Sequence, residues 1–224
     1  MRKIILVVAT IFAGLMISVN VNADQFPNAS PFNSSAESST ETELNIDTNN
    51  GRASHHYEIP QNTPVPLEGI RWPSQRVTIC LQTDDPKIRQ AFQDAVKRWN
   101  ATKAIHFVWI KDPKQAQVVA QDGDLSDNTH PATVGYVTSQ LGSTETKFNP
   151  DTNTLIKATS TLDPTQLDYT NRQFRSEVAQ HELGHSIGLA HAPTYEHSVM
   201  IPRNIRTGIT KNDVESVRML YHHD

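Results

Sequence analysis

The stretch of eleven residues at positions 181–191 most constrains what this chain can fold into. It reads HELGHSIGLAH and fits the pattern H-E-x-x-H-x-x-G-x-x-H, the spacing of a catalytic zinc site. Histidines four residues apart lie on one face of a helix, so His181 and His185 can bind the same ion. The segment therefore predicts a helix that carries two metal ligands.

The remaining positions of the motif complete this predicted site. His191 lies six residues after His185, and a continuing helix would carry it away from the ion. Gly188 tolerates a positive φ, so we expect it to end the helix and turn the chain back toward the metal. Three protein ligands leave a fourth position open for water, which is typical of a catalytic zinc site. Glu182, next to the first ligand, is the predicted general base for that water.

A second feature follows this motif. Residues 198–202 read SVMIP, and Met200 lies nine residues after His191. Together the two segments resemble the metzincin metallopeptidases, in which a methionine turn lies beneath the zinc, and within them the matrixins. The sequence RWP at 71–73 and the segment around Asp213 are similar to the start and the last helix of a matrixin catalytic domain. In some matrixins an aspartate at this position pairs with the N-terminus formed by activation.

The resemblance implies an α+β fold. It is a metzincin-like domain with a twisted mixed five-stranded sheet and three helices, and with the zinc at the floor of the cleft. The resemblance also implies one catalytic Zn²⁺ bound by His181, His185 and His191. Glu182 is then the catalytic residue, and Met200 is the structural residue of the methionine turn.

Substrate binding is also implied by the resemblance. In matrixins an edge strand above the cleft pairs with extended substrate by strand addition. Val134, Gly135 and Tyr136 are the candidates for this substrate-binding strand. The expected partner is a protein or peptide substrate in an extended conformation.

Apolar patterning elsewhere predicts interleaved strands and helices. Strands are expected at 77–81, 105–110, 116–120, 133–138 and 154–162. The first helix should begin with Asp85 as its cap and Pro86 as its first residue. Two further helices are expected at 171–189 and after Thr210, which resembles an N-cap.

Composition divides the chain into three parts. Residues 1–23 combine a basic start, an apolar stretch and small residues at the end, the pattern of a secretory signal peptide. An uncleaved membrane anchor is the alternative for this segment. Residues 24–69 are rich in Ser, Thr, Asn and Pro, and they are predicted to form a disordered linker or a short propeptide. Residues 70–224 form the predicted matrixin-like zinc metallopeptidase domain.

Charge and cysteine content limit the partners. The formal net charge of −4 gives no reason to expect nucleic acid as a partner. We expect no stable membrane insertion after signal cleavage, and we expect a monomer. The sole cysteine, Cys80, cannot form a disulfide within the chain, and it is predicted to be a core residue.

The sequence offers residues for two further candidate metal sites. Residues 122–128, DGDLSDN, place carboxylates at alternate positions, so Ca²⁺ binding and a solvated turn are both open for this segment. Matrixins usually also hold a structural zinc before the active helix. In this region the chain offers His130, Asp151 and Asp163 for such a site.

These features predict a secreted, extracellular zinc-dependent endopeptidase. This hydrolase would cleave peptide bonds by attack of a zinc-bound water activated by Glu182. One alternative is a zinc amide hydrolase that acts on cell-wall peptides, because its zinc chemistry would be the same. The other is a non-catalytic zinc-binding adhesion module, which would predict a substituted Glu182 or a missing ligand. The sequence has neither substitution.

Overall fold

The computed structural model describes residues 13–18, 56–126, 138–202 and 207–221. The strands of this described part are β1 (Ala13–Ser18), β2 (Arg76–Gln82), β3 (His106–Trp109), β4 (Val118–Asp122), β5 (Thr138–Asn149) and β6 (Thr154–Leu162). Its helices are α1 (Pro86–Ala101), α2 (Pro164–Leu167), α3 (Arg172–Ser186) and α4 (Lys211–Tyr221).

The strands form one mixed sheet in the order β1-β5-β6-β4-β2-β3. From β3 to β6 the neighbours are parallel, whereas β5 runs antiparallel to β6. Without β1, the strands between residues 76 and 162 make the mixed five-stranded sheet that the resemblance implies. The predicted α+β class is therefore confirmed. The expected number of helices is too low by one, because α2 is a single turn with no periodicity to reveal it.

Four of the predicted strands correspond to β2, β3, β4 and β6. Of the fifth predicted strand, 133–138, the structure describes only Thr138, which begins β5 (Thr138–Asn149), the strand that pairs with β6. Residues 133–137 lie outside the described residues. The sequence of β5 is mostly polar, yet Thr144 and Thr146 are buried. Local hydrophobic alternation therefore did not indicate this strand.

Helix α1 begins as predicted and orients the helix that carries the metal motif. The Asp85 side chain accepts the backbone N–H groups of Lys87 and Ile88. The buried face of α1 consists of Ile88, Ala91, Phe92, Ala95, Val96 and Trp99. At the end of this face, the Trp99 indole N–H donates to the Gln180 carbonyl of α3 at 3.0 Å. The two helices are thus joined by apolar packing and by a directional hydrogen bond.

Cys80 in β2 is buried, as predicted.

Helix α3 is the central element of the domain. The Asn171 side chain caps it by accepting the Phe174 N–H, and every residue from 175 to 186 is buried. The helix ends at Ser186, three residues before the predicted end at 189, and the chain turns at Gly188, which has the expected positive φ, of +98°. A side chain at this glycine would collide with the Ile70 carbonyl oxygen. The turn after α3 therefore needs glycine both for its dihedral angle and for its space.

Residues 56–69 pack against the folded domain. The assignment of residues 24–69 to a disordered linker or a short propeptide stays a prediction. Val65 is fully buried, and its N–H donates to the Ser216 hydroxyl at 2.7 Å. Leu67 forms an antiparallel bridge with Leu189. The polar composition of this stretch conceals a few apolar side chains that dock into the core. Residues 24–55 lie outside the described residues.

The first strand falls within the predicted signal peptide. It runs antiparallel to β5, with Ala13 opposite Thr144 and Ser18 opposite Thr138. The signal peptide itself stays a prediction. In the described part of the chain, no helix has the length and apolar character needed to cross a membrane.

The docking of residues 56–69 can be measured. We expect Val65→Ala to lower the free energy of unfolding by about 2 kcal/mol, because it removes fully buried methyl groups. Val214→Ala is the matched control, because Val214 is only partly buried and should cost less than about 1 kcal/mol. Urea denaturation of the two variants checks this, and equal losses would show that Val65 is not packed in solution.

Candidate metal centre

The structure brings the three motif histidines together at the end of α3. His181 and His185 are buried on the helix, and His191 follows the Gly188 turn. One nitrogen from each ring lies within 4.8 Å of the others. Within the described ranges, this is the one group of at least three His, Cys, Asp or Glu side chains with metal-binding spacing.

Two backbone carbonyls decide which nitrogen of each helix histidine carries a proton. His181 Nδ1 lies 2.7 Å from the Val199 oxygen, and His185 Nδ1 lies 2.9 Å from the Leu189 oxygen. A carbonyl oxygen can only accept, so both Nδ1 atoms carry hydrogen. Burial lowers the pKa of His181 well below its usual value and that of His185 to about 3, so both rings are neutral. Each Nε2 therefore presents a lone pair.

These lone pairs indicate a cation site. The Nε2 atoms of His181 and His185 are 3.1 Å apart, close to the spacing of about 3.3 Å for two nitrogen ligands of a tetrahedral zinc. His191 Nε2 is buried and makes no hydrogen bond with the described residues. Burial also lowers the pKa of His191, although Glu68 opposes the shift. Three neutral imidazoles are a donor set that fits zinc.

Glu182 lies beside this group and is fully buried. Its Oε2 atom accepts the Thr144 hydroxyl at 2.7 Å, whereas its Oε1 atom makes no hydrogen bond with the described residues. Burial raises the pKa of Glu182 to about 8, and the Thr144 bond opposes this shift. A cation bound nearby would favour the charged carboxylate.

Strand β5 supports Glu182 through residues that sequence reasoning missed. The Thr144 hydroxyl donates to Glu182 Oε2, and the Ser160 hydroxyl lies 3.1 Å from the Thr144 oxygen and 3.4 Å from the Glu182 carbonyl oxygen. A Cβ at Gly142 would lie 2.6 Å from Glu182 Oε1, so this close approach requires glycine. These residues are distant from the motif in sequence, and no local pattern links them to it.

The segment around Met200 lies against α3. Met200 is fully buried, and its sulfur occupies the space that a side chain at Gly184 would need. Its carbonyl accepts the Ala192 N–H at 2.9 Å, which joins the turn to the residue after His191. The preceding residue, Val199, supplies the carbonyl that holds His181. This turn therefore fixes the orientation of His181, the first predicted ligand, through the Val199 carbonyl.

Asp213 holds this turn in place. Its buried carboxylate accepts the Val199 N–H at 3.1 Å and the Ser198 hydroxyl. It also accepts the N–H and the hydroxyl of Thr210, at 2.7 and 2.8 Å. Thr210 and Asp213 thereby form the capping box that the sequence indicates for α4. In this structure Asp213 binds the turn and the helix start rather than an N-terminus.

A second carboxylate, that of Glu68, was not predicted. Its Oε1 atom lies 3.1 Å from His185 Nδ1, and its side chain is 12% exposed. Burial raises its pKa to about 6, and the nearby His191 opposes the shift. Sequence reasoning missed Glu68 because it assigned residues 24–69 to a disordered linker or a short propeptide. The only available signal was an acidic residue between apolar Leu67 and Ile70.

The other sequence-predicted sites are less well defined. Val134, Gly135, Tyr136 and His130 lie outside the described residues. Asp163 caps α2 and also accepts the Leu125 N–H at 3.1 Å, so hydrogen bonds occupy its carboxylate. This use disfavours Asp163 as a ligand of a structural zinc. For the segment 122–128, the choice between calcium and a solvated turn stays open.

Comparison with known proteins places this geometry in a family. The family described as Matrixin matches residues 71–222, which include all three histidines and Glu182. A curated relative is the Metalloendoproteinase 2-MMP of Arabidopsis thaliana, which is 27% identical over 180 residues. The matched region is 75% of this chain and 47% of that relative. The chain therefore spans about half the length of the curated relative it matches.

The contribution of the third histidine can be tested by metal analysis. We expect His191→Ala to lower the zinc content below about one ion per chain, because two ligands hold zinc less tightly than three. His197→Ala is the control, since His197 is exposed and lies outside the group. Elemental analysis after dialysis measures both variants. Equal zinc content in the two variants would exclude His191 as a ligand.

Proposed function

Since this chain belongs to the matrixin family, we propose that it is a zinc-dependent endopeptidase with Glu182 as its general base. Matrixins are in general zinc metallopeptidases, and the matched relative is named a metalloendoproteinase. The observation that carries the proposal is the pair of unprotonated Nε2 atoms 3.1 Å apart, beside a buried carboxylate with an unpartnered oxygen.

The proposed reaction divides the work between the bound ion and the chain. A zinc ion held by His181, His185 and His191 would lower the pKa of a water molecule and polarise a peptide carbonyl. Glu182 takes a proton from the attacking water and returns it to the leaving amine. Thr144 binds Oε2 of this carboxylate, so Oε1 is the oxygen left to transfer the proton.

Substrate would bind along β5. The outer edge of this strand, from Thr138 to Thr144, pairs with β1 and so can accept an antiparallel strand. The edge passes beside the general base, because Gly142 lies against Glu182. We propose that an extended protein or peptide adds to this edge. Residues 134–136, the predicted substrate-binding segment, come directly before β5 in the chain.

Localisation and partners are proposed from the sequence. The basic start and the apolar segment of residues 1–23 support secretion to the extracellular space. The formal net charge of −4 supports a protein that does not bind nucleic acid. We propose that the secreted chain acts as a monomer without stable membrane insertion.

The general base can be tested by an isosteric substitution. We expect Glu182→Gln to lower kcat/KM about 10²- to 10⁴-fold on quenched fluorescent peptides, because the amide cannot accept the proton. Zinc content should stay at that of the wild type. Glu215→Gln, on the exposed face of α4, is the control. Retained activity in Glu182→Gln would exclude Glu182 as the base.

The role of Thr144 has a separate test. Thr144→Val keeps the shape of the side chain but removes the hydroxyl that donates to Glu182. We expect kcat to fall on the order of 10-fold, as for the loss of a hydrogen bond to a charged group, with KM and zinc content little changed. Thr144→Ser restores a donor and should recover most of kcat. Steady-state kinetics in which Val and Ser behave alike would contradict this role.

A further inference from the structure

Glu68 approaches the metal centre from a segment that precedes the family match. The match begins at residue 71, whereas the carboxylate of Glu68 lies against His185. Its side chain is 12% exposed, and the His185 side chain is 2% exposed. This is a close contact between an acidic group and a predicted metal ligand, removed from bulk water.

The position of the carboxylate distinguishes a supporting role from direct ligation. His185 points Nε2 toward His181 Nε2, so its metal-facing side is the Nε2 side. Glu68 Oε1 lies on the opposite side, 3.1 Å from Nδ1. The Nδ1 proton is shared between Glu68 and the Leu189 carbonyl, which is 2.9 Å away. Glu68 therefore contacts the His185 ring on the side opposite Nε2, the atom that faces the predicted metal position.

Backbone pairing fixes Glu68 in this place. Residues 66–68, which we call the clamp segment, run along the turn between the second and third histidines. The Glu68 N–H donates to the Gly188 carbonyl, and the Ala190 N–H donates to the Pro66 carbonyl, each at 2.8 Å. Between these bonds, Leu67 and Leu189 form an antiparallel bridge. The clamp segment thus restrains the turn as well as the His185 ring.

The negative charge of Glu68 gives its contact with His185 a further consequence. Three neutral imidazoles do not compensate a divalent cation, and Glu182 supplies only one negative charge. Glu68 supplies a second, and it also interacts electrostatically with His191. A carboxylate that accepts the outer N–H of a ligand histidine orients the ring and raises its basicity toward the metal.

We propose that Glu68 is a positioning residue of the metal centre, which orients His185 and stabilises the bound divalent cation from outside. The clamp segment is then a permanent part of the zinc site rather than part of a removable propeptide. This inference rests on the zinc site of the proposed function, and it adds a residue beyond the matched family region.

The test is zinc affinity, measured on the full-length chain by competition with a chromogenic chelator. We expect Glu68→Ala to raise the Kd for zinc about 10- to 100-fold. Glu68→Gln should give a smaller increase, because its amide oxygen still accepts the Nδ1 proton but carries no charge. The cobalt-substituted Glu68→Ala variant should also show shifted visible bands, since the His185 ring is no longer oriented.

Controls separate this role from a structural one. Glu58→Gln alters an exposed acid of the same N-terminal region and should leave both the Kd and the cobalt spectrum unchanged. A structural role alone would lower the stability of the metal-free protein but leave the spectrum unaltered. If Glu68→Ala and Glu68→Gln both bind zinc within twofold of the wild type, the inference is overturned. Should Glu68→Ala fail to fold, the isosteric Glu68→Gln decides the question.

The same measurement distinguishes this inference from the proposed enzyme. A wild-type chain that binds zinc but cleaves no peptide would overturn the endopeptidase, whereas a weakened Kd in Glu68→Ala would still support the role of Glu68. A wild-type chain that binds no zinc would overturn both.

Discussion

The left-handed backbone at Gly188 is the constraint on which the metal centre depends. With φ of +98°, this residue ends α3 and reverses the chain within one turn. The reversal places the Leu189 carbonyl on Nδ1 of His185 and returns His191 to the two helix histidines. The turn also leaves the Gly188 carbonyl free to pair with the N-terminal part of the domain. Ligand geometry and domain packing therefore depend on the same dihedral angle.

Around this turn, hydrogen bonds from different parts of the chain fix the orientation of each functional side chain. The Val199 carbonyl fixes His181, and Asp213 in turn fixes Val199. The Thr144 hydroxyl fixes Glu182 from the neighbouring strand. These partners are carbonyls, a carboxylate and a hydroxyl, so none of them needs to change its protonation state to support the site. The geometry of the centre thus depends on groups that are not themselves among the predicted metal ligands.

Local signals predicted one part of this arrangement well. The four-residue spacing, the glycine and the caps at Asp85 and Thr210 act within one or two helical turns, so the sequence reveals them directly. Thr144 could not be found in this way, because a polar strand residue becomes functional only when β5 lies beside α3. The docking of Val65 was concealed for a related reason, since its partners lie far along the chain. Periodicity describes neighbours in sequence, whereas these contacts are decided by topology.

The bridge between Leu67 and Leu189 has a consequence for the order in which the site is assembled. It joins the beginning of the domain to the turn after α3, and Asp213 adds a contact from the last helix. During synthesis, the histidines leave the ribosome before the residues that orient one of them. A nascent chain therefore carries the ligands without their complete support, because long-range contacts form only when both ends of the domain are present. The support of the predicted ligands is therefore complete only after the last helix has been synthesised.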